Sequence, residues 1–245
     1  MLAYLTTACK TCVCCCLFIC LPALAQAQHY QHTTFWAKLL VTKPLSKKWD
    51  FQFEYLHRSQ NNFRESNWNP FTHEALEEPR IWFNFKQKHY TLFLNPISYY
   101  YSLPTLGKEE DFNIKPNQIW QSAIAFELNQ NKKKWTVKER IVYEFRCMES
   151  RQYIPVGRVR LRGLLQYQVN PKVRLQVYND VFINAPPHKL RHNFDQNWSS
   201  FGISRQLNPK VALDMAYMRN HKVRANQTEF DEENGFSLAL NIKLL

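Results

Sequence analysis

The chain has 245 residues, a formal net charge of +12 and an aromatic content of 15%. Its mean hydropathy is −0.48, and after residue 27 no apolar run approaches the about 20 residues that a membrane-spanning helix needs. This composition excludes a helical membrane protein. It does not exclude a transmembrane β-barrel, because alternating strands hide their hydrophobicity from window averages.

Residues 1–27 predict a cleaved secretory signal peptide. Lys10 is their only charged residue, residues 11–24 are apolar, and Ala23, Ala25 and Ala27 form two A-x-A cleavage sites. A membrane anchor helix is the alternative, but the apolar span is short and ends in a cleavage site. Six of the seven cysteines lie in this segment, so no disulfide framework or cysteine zinc site is expected in the remainder. Residues 28–245 form one predicted domain, exported to the bacterial outer membrane.

The sequence pI of 9.4 raises nucleic acid as a partner. Export argues against nucleic acid, and the basic residues alternate with carboxylates along strands instead of clustering on a helix. A positive interior, or a surface that faces anionic lipid headgroups, fits this pattern better.

Alternation of apolar and polar residues predicts eleven strand candidates. In chain order they are residues 35–42, 49–58, 80–86, 89–101, 118–128, 135–146, 156–169, 173–184, 194–206, 211–218 and 235–245. Long polar loops are predicted at residues 59–79, 102–116 and 219–232, where recognition sites are expected. Short turns alternate with these loops, which is typical of an outer-membrane barrel with short periplasmic turns.

The predicted fold is all-β: an antiparallel transmembrane β-barrel of about 10–12 strands. Single-chain bacterial barrels have even strand numbers, so residues 28–34 supply one more short strand, or one candidate is a plug or merges with a neighbour. A secreted or periplasmic β-sandwich is the alternative. Its strands usually span about five or six residues, and residues 135–146 and 156–169 are longer than that.

The parity opposite the apolar residues carries charges of both signs, which a barrel would turn inward. We expect these side chains to form an arginine–carboxylate network across the lumen. Such a network can pack the interior, or it can select a small anionic solute. The predicted set comprises Glu54, Arg58, Glu127, Lys138, Arg140, Glu144, Arg146, Arg158, Arg160, Arg162, Arg174, Asp180, Asp195 and Asp214.

Two functions remain open. The first is a passive barrel, which is either a narrow pore or a structural or binding barrel. The second is a membrane-embedded lipid hydrolase. For the hydrolase, His57 and Ser59 lie two residues apart at an outer strand end and share the lipid-facing parity of Tyr55. A histidine can activate a neighbouring serine, although a triad also needs an orienting third residue. The other histidines lack metal-ligand spacing on a shared strand face, so no metal or cofactor is expected. The expected partners are outer-membrane lipid and small anionic solutes.

Three segments carry a resemblance to a known family: Val177–Asn184, Phe194–Ile203 and Leu213–Met218. The chain resembles the domain-of-unknown-function 2490 family, exported and mostly bacterial proteins of barrel type, over nearly all of residues 28–245. Where that family usually has Asn-Glu, this chain has Asn179-Asp180, and Trp198 replaces an arginine. The resemblance implies the location and the fold, and it transfers no catalytic residue.

Overall fold

A computed structural model describes residues 28–65, 68–153, 155–185 and 193–244. The predicted signal peptide, residues 1–27, lies outside the described residues. Eleven strands of the described chain form one closed barrel. They are β1 Gln28–Pro44, β2 Trp49–Gln60, β3 His73–Lys86, β4 Tyr90–Ser102, β5 Asn117–Lys132, β6 Trp135–Met148, β7 Pro155–Asn170, β8 Val173–Asn184, β9 Phe194–Asn208, β10 Val211–Val223 and β11 Glu229–Lys243.

Each strand pairs with its neighbour in the sequence in antiparallel fashion, and β1 closes the barrel by pairing with β11 in parallel. The parallel closure follows from the odd strand count, because the first and last of eleven alternating strands run in the same direction. The predicted antiparallel barrel of about 10–12 strands is confirmed, and the β-sandwich alternative is wrong because one sheet closes on itself. Among the described residues, no helix is both long and apolar enough to cross a membrane.

Two of the predicted loops, residues 59–79 and 219–232, are shorter in the structure than predicted. Residues 73–79 belong to β3, residues 219–223 to β10 and residues 229–232 to β11. These segments lack apolar alternation because both of their faces are largely polar, yet their inner side chains are buried: Glu78 is 1% exposed and Asp231 is 3% exposed. Buried ion pairing inside the barrel therefore extends the strands beyond the apolar band.

Prolines mark the irregular part of the β3–β4 pairing. Cα pairing runs through Arg80 opposite Ser98 and resumes at Phe83 opposite Leu94, so the ladder shifts between them. Pro79 and Pro96 lie at or beside this interruption. Because proline lacks an N–H group, it is tolerated in a sheet where the ladder is already broken.

The outer face is apolar between two sets of aromatic contacts. Near the short turns the ring pairs are Trp49–Phe85, Tyr90–Phe126 and Trp135–Tyr167. Nearer the long loops they are Tyr99–Trp120, Tyr143–Phe145 and Tyr217–Phe236. Between these levels lie exposed aliphatic side chains such as Ile124, Ile141 and Leu165.

The core lies inside the barrel, where apolar side chains fill part of the space. One cluster consists of Trp82, Ala123, Ala125 and Val142, with Phe93 packed against it. A second consists of Trp36, Leu56 and Met218, packed against Leu76, Tyr178 and Trp198. The remainder of the interior consists of neutral polar and ionic side chains.

Candidate functional site: the charged barrel interior

A cavity of about 730 Å³ opens in the barrel at the long-loop end. Every one of the eleven strands contributes to its wall, as do the β4–β5 loop and residues 224–226. The Trp36 and Trp198 rings, with centroids 5.1 Å apart, belong to its lining. The cavity is therefore a chamber bounded by the strands and partly covered by loops.

Cationic side chains outnumber carboxylates in the lining of this chamber. Nine cationic residues face six acidic ones. The cationic residues are Arg58, Arg80, Lys108, Lys115, Arg146, Arg158, Arg160, Lys222 and Arg224. The acidic residues are Glu78, Asp111, Glu144, Asp195, Glu229 and Asp231. The lining thus has three more cationic than acidic side chains, and two of the cations, Arg58 and Arg160, pair with Glu233 and Asp180 behind it.

Arg158 joins three strands within the barrel wall. Its Nε donates to Glu144 on β6 at 2.5 Å, and its Nη1 donates to Asp195 on β9 at 2.8 Å. Asp195 reaches inward because the β8–β9 pairing shifts there, with Phe182 opposite Gln196 and Ile183 opposite Phe194. Such a bulge re-aims a side chain.

Asp180 is shared by two arginines of β7. Arg160 Nη2 donates to its carboxylate at 2.6 Å and Arg162 Nη2 at 2.7 Å, while Asp180 itself is fully buried. Arg160 also lies over the Phe182 ring, 4.8 Å from its centroid. Because Asp180 neutralises only one of the two charges, this part of the wall remains positive.

The other predicted interior residues form smaller pairs. Glu127 accepts from Arg140 at 2.7 Å and lies 3.4 Å from Lys138. Glu54 pairs with Lys38 at 2.6 Å. Arg58 on β2 reaches past β1 to Glu233 on β11, at 2.5 Å.

Three members of the predicted set lie outside the ion pairs. Arg146 is buried and donates to the amide oxygen of Asn184 at 2.9 Å. Asp214 accepts from Asn241 at 2.9 Å. Within the described part of the chain, Arg174 has no ion pair. Of these three, Arg146 is the one that lines the chamber.

The sequence pattern did not predict several of the charged residues that lie inside the barrel. Glu78 and Arg80 bond to each other inside β3, and Asp231 is buried on β11. Glu78 and Arg80 are two residues apart, as strand parity requires. However, all three residues lie in or beside segments predicted to be polar loops. Lys38 was missed because it is the one charged residue within an otherwise apolar candidate strand.

The β4–β5 loop folds over the mouth of the chamber. Asp111, fully buried, bonds to Arg224, which also donates to Asp231 at 2.8 Å. Lys108 of the same loop donates to Glu229 at 2.8 Å. Burial lowers the pKa of Arg224, but its bond to Asp111 and the charges around it outweigh burial and raise that pKa. The hydrogen bond to Glu229 likewise raises the pKa of Lys108.

His57 and Ser59, the residues predicted for a lipid hydrolase, lie on β2. His57 Nδ1 contacts a carboxylate oxygen of Glu77 on β3, and the Tyr55 hydroxyl donates to the same carboxylate. Ser59 is buried and its Oγ has no hydrogen-bond partner. A histidine with an orienting carboxylate is therefore present, while the serine is not engaged with it.

A closed barrel with an apolar exterior and an ionic interior defines a porin-like class of β-barrel. A family described as "Protein of unknown function (DUF2490)" matches residues 33–231, so the chain belongs to that family. The fold of this chain is similar to that of a solved structure entitled "NanC porin structure in rhombohedral crystal form". The two structures have a TM-score of 0.52 and 10% sequence identity, and the match covers 87% of this chain and 98% of the other. No curated protein matches the chain.

The two residues at which the sequence was expected to depart from the family pattern, Trp198 and Asp180, lie close to Arg160. Trp198 lines the chamber and packs its ring 4.8 Å from that of Phe182 and 5.3 Å from the Arg160 guanidinium. Asp180 is fully buried in the wall and binds Arg160 and Arg162. Trp198 thus offers a ring face to a cation.

Proposed function

We propose that this protein is an outer-membrane β-barrel whose positively charged chamber admits small anionic solutes through a narrow passage. The observation that carries the proposal is the excess of cationic over acidic side chains in the chamber. Rings of arginine and lysine favour anions in pores.

The exterior supports the membrane part of the proposal. Trp135 and Phe145 lie ten residues apart on β6, about 33 Å along the strand. At a strand tilt of about 40° this separation is about 25 Å along the barrel axis, the height of the apolar band in outer-membrane barrels. A water-soluble monomer rarely exposes such a continuous apolar surface.

Arg146 supports the proposal that the chamber admits anions. It lines the chamber, and its hydrogen-bonding partner is the neutral Asn184. Its charge is therefore less compensated than that of Arg158, which contacts two carboxylates. An anion inside the chamber would meet Arg146 as an available donor.

Planar-bilayer recordings test this function. In a KCl gradient the reversal potential should show preference for chloride, and Arg146→Gln should reduce that preference. Arg205→Gln is the matched control, because Arg205 is exposed on β9 and does not line the chamber. Absence of conductance, or equal preference for both ions in the unmodified protein, would refute the proposal.

A second candidate is a lipid hydrolase built on His57, Ser59 and Glu77. The contact between Glu77 and His57 favours it, because a carboxylate at Nδ1 holds an imidazole in the tautomer that a serine needs. In that reaction Ser59 Oγ would lose its proton to His57 Nε2, attack an ester carbonyl and release an alcohol that takes the proton. Water would then hydrolyse the acyl-enzyme.

Phospholipid hydrolysis by the folded protein in detergent–lipid micelles tests the second candidate. Ser59→Ala and His57→Ala should each abolish fatty-acid release, whereas Ser199→Ala, on β9, should leave it unchanged. Fatty-acid release that persists in Ser59→Ala would eliminate this candidate.

A further inference from the structure

Three potential metal ligands meet on the outer surface of the barrel near the long loops. His29 belongs to β1, His221 to β10 and Glu232 to β11, the strand between them. The register pairs His221 with Glu232, four residues beyond the pairing of Tyr217 with Phe236. The group therefore lies on the loop side of that aromatic pair, outside the apolar band.

The donor atoms of these residues converge. His29 Nδ1 lies 3.4 Å from Glu232 Oε1, and His221 Nδ1 contacts the same oxygen. All three donor atoms lie within 4.8 Å of one another. In a tetrahedral zinc site with bonds of about 2.0–2.1 Å, neighbouring ligand atoms are about 3.3 Å apart. Small side-chain adjustments would suffice to admit an ion.

Neighbouring side chains hold these ligands in place. The Phe230 ring stacks on His221 at 4.6 Å and on His29 at 5.5 Å. Arg219 Nη2 lies 3.3 Å from Glu232 Oε2, which leaves Oε1 directed at the imidazoles. Outer contacts of this kind orient the ligands of metal sites.

We propose that His29, His221 and Glu232 bind a divalent transition metal, with Zn²⁺ as the ion that best fits two imidazoles and one carboxylate. All three side chains are partly exposed, at 29% for His29, 18% for His221 and 12% for Glu232, so a fourth position is open to water. The ion would tie β1 to β10 across β11. It would thereby brace the parallel seam at which the barrel closes.

Zn²⁺ titration of the folded, chelator-treated protein in detergent micelles tests the site. We expect one equivalent to bind, and Co²⁺ to give the visible absorption of a four-coordinate ion. Glu232→Gln preserves size and hydrogen bonding while weakening ligation, and His221→Ala removes a ligand. Each should lower the affinity by more than the about 10–100-fold that loss of an outer contact costs.

His57→Ala is the matched control. His57 also lies on the outer face and contacts one glutamate, but it has no second histidine in the group. Zn²⁺ binding should survive this substitution. Zn²⁺ should also raise the unfolding temperature of the unmodified protein and not that of His221→Ala.

Three results would overturn the proposal. They are failure of the folded, unmodified protein to bind Zn²⁺, unchanged affinity in Glu232→Gln and His221→Ala, and equal loss of affinity in His57→Ala. The first result is obtained with the unmodified protein, so the proposal can be disproved even if the variants fail to fold. Ion preference in bilayers is independent of this site, so the proposed function is tested separately.

Discussion

Asp180 is the residue on which the central arginines depend. Its buried carboxylate accepts from Arg160 and Arg162, so Asp180→Asn would leave two partly buried cations without the carboxylate that they share. Loss of one partner from a buried ionic pair costs about 3–5 kcal/mol. We expect the free energy of unfolding in lipid vesicles, followed by tryptophan fluorescence in guanidinium, to fall by about that amount.

Asp214→Asn provides the comparison for that measurement. Asp214 is bonded to a neutral amide, that of Asn241, and an asparagine oxygen can accept the same bond. The net worth of such a bond is about 1 kcal/mol, so unfolding should change by no more than that. Equal losses in the two variants would show that the charge of Asp180 is not the cause.

At the residue scale, strand parity indicated a set of charged side chains on one face, but it did not indicate their partners. Arg158 and Glu144 face each other in the register, so that pair was within reach of a strand alignment. Arg58 and Glu233 are not on paired strands, and only barrel closure brings them together. The group of His29, His221 and Glu232 depends on the same closure, and for that reason the histidine spacing did not indicate it.

At the element scale, a buried charge helps to hold the β4–β5 loop, residues 103–116, over the chamber. Asp111 accepts from the backbone amides of Gly107 and Lys108, each at 2.8 Å, and bonds to Arg224. Asp111→Asn weakens the bond to Arg224, so the loop should leave the chamber mouth more often. Limited proteolysis should then cut after Lys108 or Lys115 several-fold faster than in the unmodified protein.

Glu110→Gln is the matched substitution for the loop. Glu110 is adjacent to Asp111 but exposed, so its neutralisation should leave the cleavage rate unchanged. A similar acceleration in both variants would mean that negative charge in the loop, and not the buried contact, holds it closed.

Strand prediction worked best where one face of the strand is apolar and the other carries charges. Residues 173–184 were predicted with the same bounds that β8 has, because an apolar residue follows nearly every polar one. Prediction failed at the loop ends of β3, β10 and β11, where Glu77 and Glu78 are both acidic although they point to opposite faces. Above the apolar band the outer face is also polar, so alternation no longer distinguishes a strand from a loop.

At the scale of the whole molecule, the fold depends on the seam between β1 and β11. The register places Thr34 beside Gly235, and a Cβ atom at Gly235 would lie 2.5 Å from the Thr34 carbonyl oxygen. Gly235→Ala must therefore push the two strands apart at the one parallel pairing of the described barrel. Overpacking of this kind costs about 1–3 kcal/mol.

Gly163→Ala separates this effect from the general effect of a methyl group in a strand. A Cβ at Gly163 meets no atom within 4 Å, and alanine is favoured over glycine inside a strand by about 0.5–1 kcal/mol. Refolding into vesicles, measured by the fraction that migrates as the compact species without heating in gel electrophoresis, should fall for Gly235→Ala and hold or rise for Gly163→Ala. A normal yield of compact Gly235→Ala would mean that β1 and β11 are not packed as closely as this register requires. The seam would then contribute less to closure than the ten antiparallel pairings around it.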